Sequence, residues 1–297
     1  MQKIRYFDIA WLSKLDGPGT RLVVFFQGCP LRCKWCHSPH SWGKYATVLL
    51  NKNLCELCGK CEESCINGVH KIYNVEHTIY SEKCIGCGKC IEACMLSSSE
   101  NKKGPLFLPT KEIAVWELFK FLQPQLRILK RTGGITLSGG EALLQYKAAR
   151  ELLEICKKEG IHSAVESSGL LPLENYRQVS QLVDCWLIGI RGIDETSSEF
   201  GKLYENIEFI ASLKREVIVR LPVVVGYTDS QKQLETIKNV MKKLSLLTIQ
   251  LLSYNENTPH YYEAMNISFN LSGEPIPKNE RMQEIKKYFE YAGIQVI

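Results

Sequence analysis

No run of apolar residues in this chain of 297 approaches the roughly 20 that a membrane-spanning helix needs. The opening stretch, MQKIRYFDIAWLSKLDGPG, is broken by Asp8, Lys14 and Asp16, so it forms no apolar segment of an export signal. The expectation is a cytoplasmic protein without a membrane partner. Histidine is scarce, and His37, His40, His70, His77, His162 and His260 show no metal-ligand spacing. No Ser/His/Asp set or carboxylate pair stands out, which sets aside hydrolytic acid–base chemistry. The formal charge of +5 is too small to call for nucleic acid. The length suits one large barrel-type domain or two ordinary ones.

What the chain has is cysteine. Of its thirteen, eleven lie between Cys29 and Cys94. A disulfide scaffold belongs to short exported domains, so metal ligation is the reading for these eleven. Cys156 and Cys185 stand alone in apolar surroundings and read as core thiols. CELCGKCEESC supplies Cys55, Cys58, Cys61 and Cys65, and CIGCGKCIEAC supplies Cys84, Cys87, Cys90 and Cys94. Each is a C-x2-C-x2-C-x3-C run of the bacterial ferredoxin type. Zinc ribbons use two CxxC knuckles at longer separation, so two [4Fe–4S] clusters are expected. In two-cluster ferredoxins the fourth cysteine of each run serves the other cluster. By that rule Cys55, Cys58 and Cys61 work with Cys94, and Cys84, Cys87 and Cys90 with Cys65. Ile66 and Met95 replace the proline that usually follows each fourth cysteine, which removes no ligand.

The third group, in GCPLRCKWCH, is Cys29, Cys33 and Cys36, with no fourth cysteine near its loop. Three thiolates leave one iron of a four-iron cluster open to an exogenous ligand, as in catalytic rather than structural metal sites. Three clusters, two with four thiolates and one with three, would bring about −5 and leave the loaded protein nearly neutral.

Around these groups strands and helices alternate. RLVVFFQ (21–27) reads as a strand buried on both faces, and the cysteine triad follows it directly. GITLS, HSAVES, DCWLIGI, VIVRLPV and LLTIQLL are five further strands, separated by helix-length segments such as EALLQYKAARELLEICKKEG. Six such units imply an α/β fold, a partial (β/α)6 TIM-like barrel with its site at the C-terminal strand ends. The two-cluster segment, residues 52–98, reads as a ferredoxin-like insertion into a barrel formed by residues 1–51 and 99–297. Gly139 and Gly140 of LSGGE permit positive φ and close backbone approach where a helix opens after the second strand.

The CxxxCxxC loop, with Trp35 before its last cysteine, resembles the radical S-adenosylmethionine (SAM) superfamily. More narrowly, DGPGTRLVVFFQGCPLRCKWCHSP, LSGGEALLQ, KKEGIHSAVESSG, VRLPVVVGYTD and MQEIKKYFEYAGIQV resemble the glycyl-radical-enzyme activating enzymes, such as pyruvate formate-lyase activase. That resemblance implies a SAM molecule chelated to the open iron and cleaved by a cluster electron to a 5′-deoxyadenosyl radical. The radical then takes hydrogen from a backbone glycine of a partner glycyl-radical enzyme. A flavodoxin or ferredoxin as electron donor, and a monomeric protein, go with it. The Gly139, Gly140, Glu141 turn would receive the SAM amino group, with Trp35, His37, Ser167 and Arg220 around SAM and Asp16 and Gly17 near the incoming glycine loop.

Three positions depart from the family's pattern. Gly189-Ile190-Arg191 replaces Asp-x-Lys, so Arg191 takes the lysine's place and no side chain at 189 can ligate a cation. Glu166-Ser167 replaces an acid–threonine pair. Asn255, in LLSYNEN, sits where a SAM-contacting histidine is usual. A second reading is a radical SAM enzyme acting directly on a small molecule or peptide, its added clusters accepting electrons. A pure electron carrier has no use for an open iron.

Overall fold

The computed structural model describes residues 1–97 and 104–297. Strands β1 (Lys3–Ser13) and β2 (Thr20–Phe26) form an antiparallel pair. The inserted unit then comprises β3 (Leu49–Leu50), α1 (Lys60–Ser64), β4 (His70–Tyr73), β5 (Glu76–Ile79), α2 (Lys89–Ala93) and β6 (Leu106–Phe107). β7 (Lys111–Ala114) pairs with β1, and the chain then alternates: α3 (Val115–Leu129), β8 (Gly133–Gly139), α4 (Tyr146–Lys158), β9 (His162–Ser167), α5 (Leu173–Arg177), β10 (Cys185–Gly189). It continues with α6 (Phe200–Ser212), β11 (Glu216–Val223), α7 (Gln231–Lys243), β12 (Thr248–Ser253), α8 (Thr258–Ala264), α9 (Asn279–Tyr291) and β13 (Gln295–Val296).

The main sheet runs β13-β12-β11-β10-β9-β8-β2-β1-β7. Every pairing from β2 to β13 is parallel. The fold is therefore a partial α/β barrel, and its six expected strands are all present. β1, β7 and β13 are additions. β1 escapes a reading by period because its register shifts between Tyr6 and Asp8 and again between Ala10 and Ser13, which spoils the alternation.

Outward-facing residues of the strands pack against the helices in one continuous core that includes Val24, Ile135, Trp186, Val219, Leu122 and Phe289. The inner face changes character along each strand. Near the N-terminal ends Ala164, Cys185, Leu187 and Ile218 form a small buried apolar cluster. Two residues further along, at the same pleat phase, stand Glu166, Gly189 and Arg220. The lumen thus has an apolar cluster at its floor, beside the buried Arg21 and Thr136, and charged residues at its mouth. Cys156 and Cys185 are both fully buried, as core thiols should be.

The inserted unit is closed at its neck by the antiparallel pair β3–β6. Its small core joins Val69, Ile79 and Ile91 to Val48, Leu50 and Leu106, so packing extends beyond both ends of the span 52–98. The expected boundary at residues 98 and 99 lies outside the described residues. The unit also touches the barrel, the Ser81 hydroxyl donating to the Met265 carbonyl at 2.5 Å.

Candidate active site

Gln27, at the end of β2, organises the loop that carries the cysteine triad. Its side-chain amide donates to the carbonyls of His40 (3.0 Å), Gly43 (2.9 Å) and Tyr45 (3.2 Å), and its carbonyl accepts from Thr110 (2.8 Å). Arg32 donates to the Cys29 carbonyl at 3.0 Å and lies 5.1 Å above the Trp42 ring. Cys29, Cys33 and Cys36 then line one cleft of about 340 Å³ at the C-terminal strand ends. Burial pushes the Cys29 thiol up to about 12 and raises those of Cys33 and Cys36. Thiols raised in this way are protonated at neutral pH, and binding a metal would release their protons. Three soft donors facing a cleft fit a cluster with one uncovered iron.

The glycine pair sets how closely β8 approaches this loop. Gly139 has φ +112°, and a Cβ there would meet the Phe26 nitrogen at 2.2 Å; one on Gly140 would lie 2.4 Å from the Gly28 oxygen and 3.1 Å from Cys29 Cβ. Amides of Gly140 and Glu141 donate to the carbonyls of Phe26 (2.9 Å) and Gly28 (2.7 Å). Both glycines border the cleft. Glu141 turns away from it, accepting from the Ser168 amide (2.9 Å) and hydroxyl (2.6 Å). Burial raises its carboxyl above the ordinary range. The helix expected to open at this turn begins only at Tyr146, after a 3-10 turn over Ala142–Gln145.

The cleft floor is a charge ladder. Arg220 Nη1 lies 3.1 Å from Glu166 and 3.2 Å from Asp16; Arg191 reaches Glu166 at 3.3 Å, and the Ser138 hydroxyl donates to Glu166 at 2.5 Å. Burial works to raise the Glu166 carboxyl, but Arg220 and Arg191 hold it below the usual range. A Cβ on Gly189 would sit 2.7 Å from Arg191 Nε, so the missing side chain at 189 makes room for the guanidinium. The Nε atoms of Arg191 and Arg220 are buried without a partner among the described residues, and both residues border the cleft, where their guanidinium groups bring positive charge suited to an anionic ligand.

Asp16 borders the cleft and accepts from Ser13 at 2.5 Å, while its carbonyl accepts from Thr136 at 2.7 Å. Gly17, with φ +115°, sits below, a Cβ there being 3.6 Å from Ala164 Cβ and 3.7 Å from Leu187 Cδ1. The DGPG loop is therefore a plug seated on Ala164, Leu187 and the buried Arg21, whose Nη1 donates to the Pro18 carbonyl at 3.3 Å. Ser167 points behind the sheet, its hydroxyl 2.9 Å from the Tyr176 hydroxyl. Trp35 borders the cleft and rests on Gly192, whose Cβ would lie 2.9 Å from the ring. His37 and Asn255 occupy the exposed rim, where Asn255 Oδ1 accepts from the Asn257 amide at 3.0 Å. Glu141, Ser167 and Gly17 are thus not among the residues brought to the cleft wall. Trp42 and Tyr254, which the sequence did not single out, are; each has a buried polar atom without a partner among the described residues.

In the inserted unit, one small cavity is bordered by Cys84, Cys87, Cys90 and Cys65, and a second by Cys55, Cys58, Cys61 and Cys94. The exchange of fourth cysteines expected from the repeat is reproduced by the packing of α1 against α2. Burial pushes Cys61 to about 11 and Cys90 to about 12, the protonated state from which metal loading starts. The absence of ligand spacing among the histidines does not survive folding: the β4–β5 hairpin brings His70, His77 and Cys61 within 4.8 Å of one another.

Among the described residues no helix is long and apolar enough to cross a membrane. A model of the 4Fe-4S dicluster domain matches residues 54–98, and one of the 4Fe-4S single cluster domain matches residues 15–72. The chain is 34% identical to the trans-4-hydroxy-L-proline dehydratase activating enzyme of Clostridioides difficile, over 93% of this chain and 92% of the relative. It is 31% identical to the choline trimethylamine-lyase activating enzyme of Oleidesulfovibrio alaskensis, over 96% of this chain and 94% of the relative. With the 4-hydroxyphenylacetate decarboxylase activating enzyme of Clostridium scatologenes it shares 29% identity over 95% of this chain and 93% of the relative. The chain belongs to the glycyl-radical enzyme activating enzymes, and carries a ferredoxin-type iron–sulfur domain.

Proposed function

We propose that this protein generates a glycyl radical on a partner enzyme, with one [4Fe–4S] cluster held by Cys29, Cys33 and Cys36 and two held by the inserted unit. The observation that carries this is three cysteines converging on a cleft whose remaining wall includes the guanidinium groups of Arg191 and Arg220. Cluster and SAM together would supply reductive cleavage to a deoxyadenosyl radical and removal of hydrogen from a backbone glycine of the partner. The chain's own part is placement and exclusion of water. Gly139 and Gly140 let β8 lie against the cluster loop, and Arg191 and Arg220 supply positive charge for a carboxylate. Arg191 lies over Gly189, so the guanidinium itself provides the cationic charge at that strand end. Trp35 forms one side of the cleft. Asp16 acts on Arg220 from the plug below, which makes it a positioning residue.

The barrel and the inserted unit are proposed as two domains of a cytoplasmic monomer. A flavodoxin or ferredoxin is proposed as the electron donor. The test is anaerobic: reconstituted protein, a low-potential reductant, SAM and a candidate glycyl-radical enzyme are mixed, and electron paramagnetic resonance is recorded. The doublet of a carbon-centred glycyl radical is expected. SAM cleavage that leaves every candidate partner without a doublet would overturn the reading in favour of direct action on a small molecule or peptide.

A further inference from the structure

The two cysteine runs are near-repeats in sequence, yet their surroundings differ at the first cysteine. Cys84 Sγ accepts only from backbone, the amides of Val48 and Gly86 each at 3.4 Å. Cys55 Sγ instead faces an imidazole, His77 Nδ1, at 3.3 Å. His77 Nε2 lies 3.0 Å from His70 Nδ1 and 3.8 Å from Cys61 Sγ. Both rings are buried, at 1% exposure for His70 and 2% for His77, so no water competes for these contacts. His70 Nε2 has no partner among the described residues.

The order of donors along this chain follows from its last acceptor. A cysteine sulfur that ligates iron is a thiolate and can only accept; Cys55 Sγ lies 3.3 Å from Nδ1 whereas Cys61 Sγ lies 3.8 Å from Nε2, which has His70 Nδ1 nearer at 3.0 Å, so the His77 hydrogen is assigned to Nδ1. His77 Nε2 then accepts from His70 Nδ1–H, which fixes the tautomer of both rings and leaves His70 Nε2 as the bare acceptor. Hydrogen bonds to the sulfurs are among the factors that set the reduction potential of a cluster, because they withdraw electron density from the thiolate.

We propose that His70 and His77 form a two-imidazole relay that donates a side-chain hydrogen bond to Cys55 Sγ and so raises the reduction potential of the auxiliary cluster held by Cys55, Cys58, Cys61 and Cys94, whereas Cys84, the first cysteine of the other run, accepts from backbone amides. The inference rests on the reading that the inserted unit holds two clusters. Iron and sulfide content tests that reading separately.

The experiment is a redox titration of the anaerobically reconstituted full chain, followed by electron paramagnetic resonance, in the wild type and in His77→Leu, His77→Asn and His70→Leu. With iron content unchanged, His77→Leu is expected to move one auxiliary signal to lower potential and leave the other in place. Asn can present an amide hydrogen where Nδ1–H stood, so His77→Asn should restore most of the shift. His70→Leu, which frees the tautomer of His77, should give a smaller shift of the same sign. A full iron complement with no shift in His77→Leu, or an equal shift of both signals, would overturn the proposal. Should His77→Leu fail to load clusters, wild-type protein labelled with 15N-histidine decides by pulsed hyperfine spectroscopy. One weakly coupled imidazole nitrogen at one reduced auxiliary cluster is expected; no such coupling, or the strong coupling of a nitrogen bound to iron, would overturn it.

Discussion

Arg220 Nη1 stands 3.2 Å from Asp16 Oδ1, joining the mouth of strand β11 to the plug loop that precedes β2. The same nitrogen lies 3.1 Å from Glu166, so one guanidinium holds two carboxylates at the cleft floor. Arg220 is 4% exposed, and its loss would leave Asp16 without its cation and Glu166 with Arg191 alone. Removing one partner of a buried ion pair costs about 3–5 kcal/mol, far more than the pair contributes over an apolar replacement. Arg220→Leu is therefore expected to lower the unfolding free energy by about that amount in urea denaturation. Asp16→Asn, which keeps an acceptor, should cost less.

Glu166 gives the acid limb of stability a definite sign. Its carboxyl is held below the ordinary range in the folded protein, so its contribution is complete above the unfolded value of about 4.3 and is lost as pH falls through the folded value. Denaturation midpoints of the wild type and Glu166→Gln, measured in steps from neutral pH downward, should differ most at neutral pH and converge below about pH 4. A gap that widens in acid would contradict the assignment.

Gly140 has an ordinary backbone conformation, so replacing it tests close approach alone. A methyl group there would lie 2.4 Å from the Gly28 oxygen and must push the cysteine loop away from β8. Gly140→Ala should keep the far-ultraviolet circular dichroism of the wild type. SAM cleavage is expected to fall by about 10²-fold, the scale on which a displacement of about 1 Å acts at a reacting centre. Unchanged cleavage kinetics would show that the loop accommodates the methyl group.

The fourth cysteines provide a test of the exchange between runs. Cys94 lies in the second run but borders the cavity of the first, and Cys65 does the reverse. Cys94→Ala is expected to disturb the signal of the cluster held by Cys55, Cys58 and Cys61, as judged by comparison with Cys58→Ala. Cys33→Ala should instead remove roughly one third of the iron and abolish SAM cleavage while both auxiliary signals persist.

Gly189 and Arg191 act as one unit. Gly189→Ala would place its Cβ 2.7 Å from Arg191 Nε and drive the guanidinium from its seat over the strand end. The KM for SAM is expected to rise by about tenfold, the value of one charge-assisted hydrogen bond near 1.4 kcal/mol. Arg191→Lys, which loses the planar fork, should move KM in the same direction.

The grouping of the cysteines and the strand order were legible in the chain because both are written at short range. Three thiols at spacings of four and three, and two runs at three, three and four, fall on single loops whatever surrounds them. The parallel strands declare themselves as continuous apolar runs, so β9 is bounded as expected at His162 and Ser167. The direction of side chains at the mouth was another matter. Whether Glu141 and Ser167 face the cleft or the helices depends on pleat phase and on partners far away, Ser168 and Tyr176, which no local pattern names. The DGPG loop reads locally as a turn, and only the assembled lumen, with Ala164, Leu187 and Arg21 below and Arg220 above, makes it a plug. Likewise His70 and His77, seven residues apart in the chain, become neighbours because an antiparallel hairpin folds them together under Cys55. Local spacing groups the thiols and marks the strands; side-chain direction and charge pairing need long-range contacts, and those exist only once the sheet has closed around its floor.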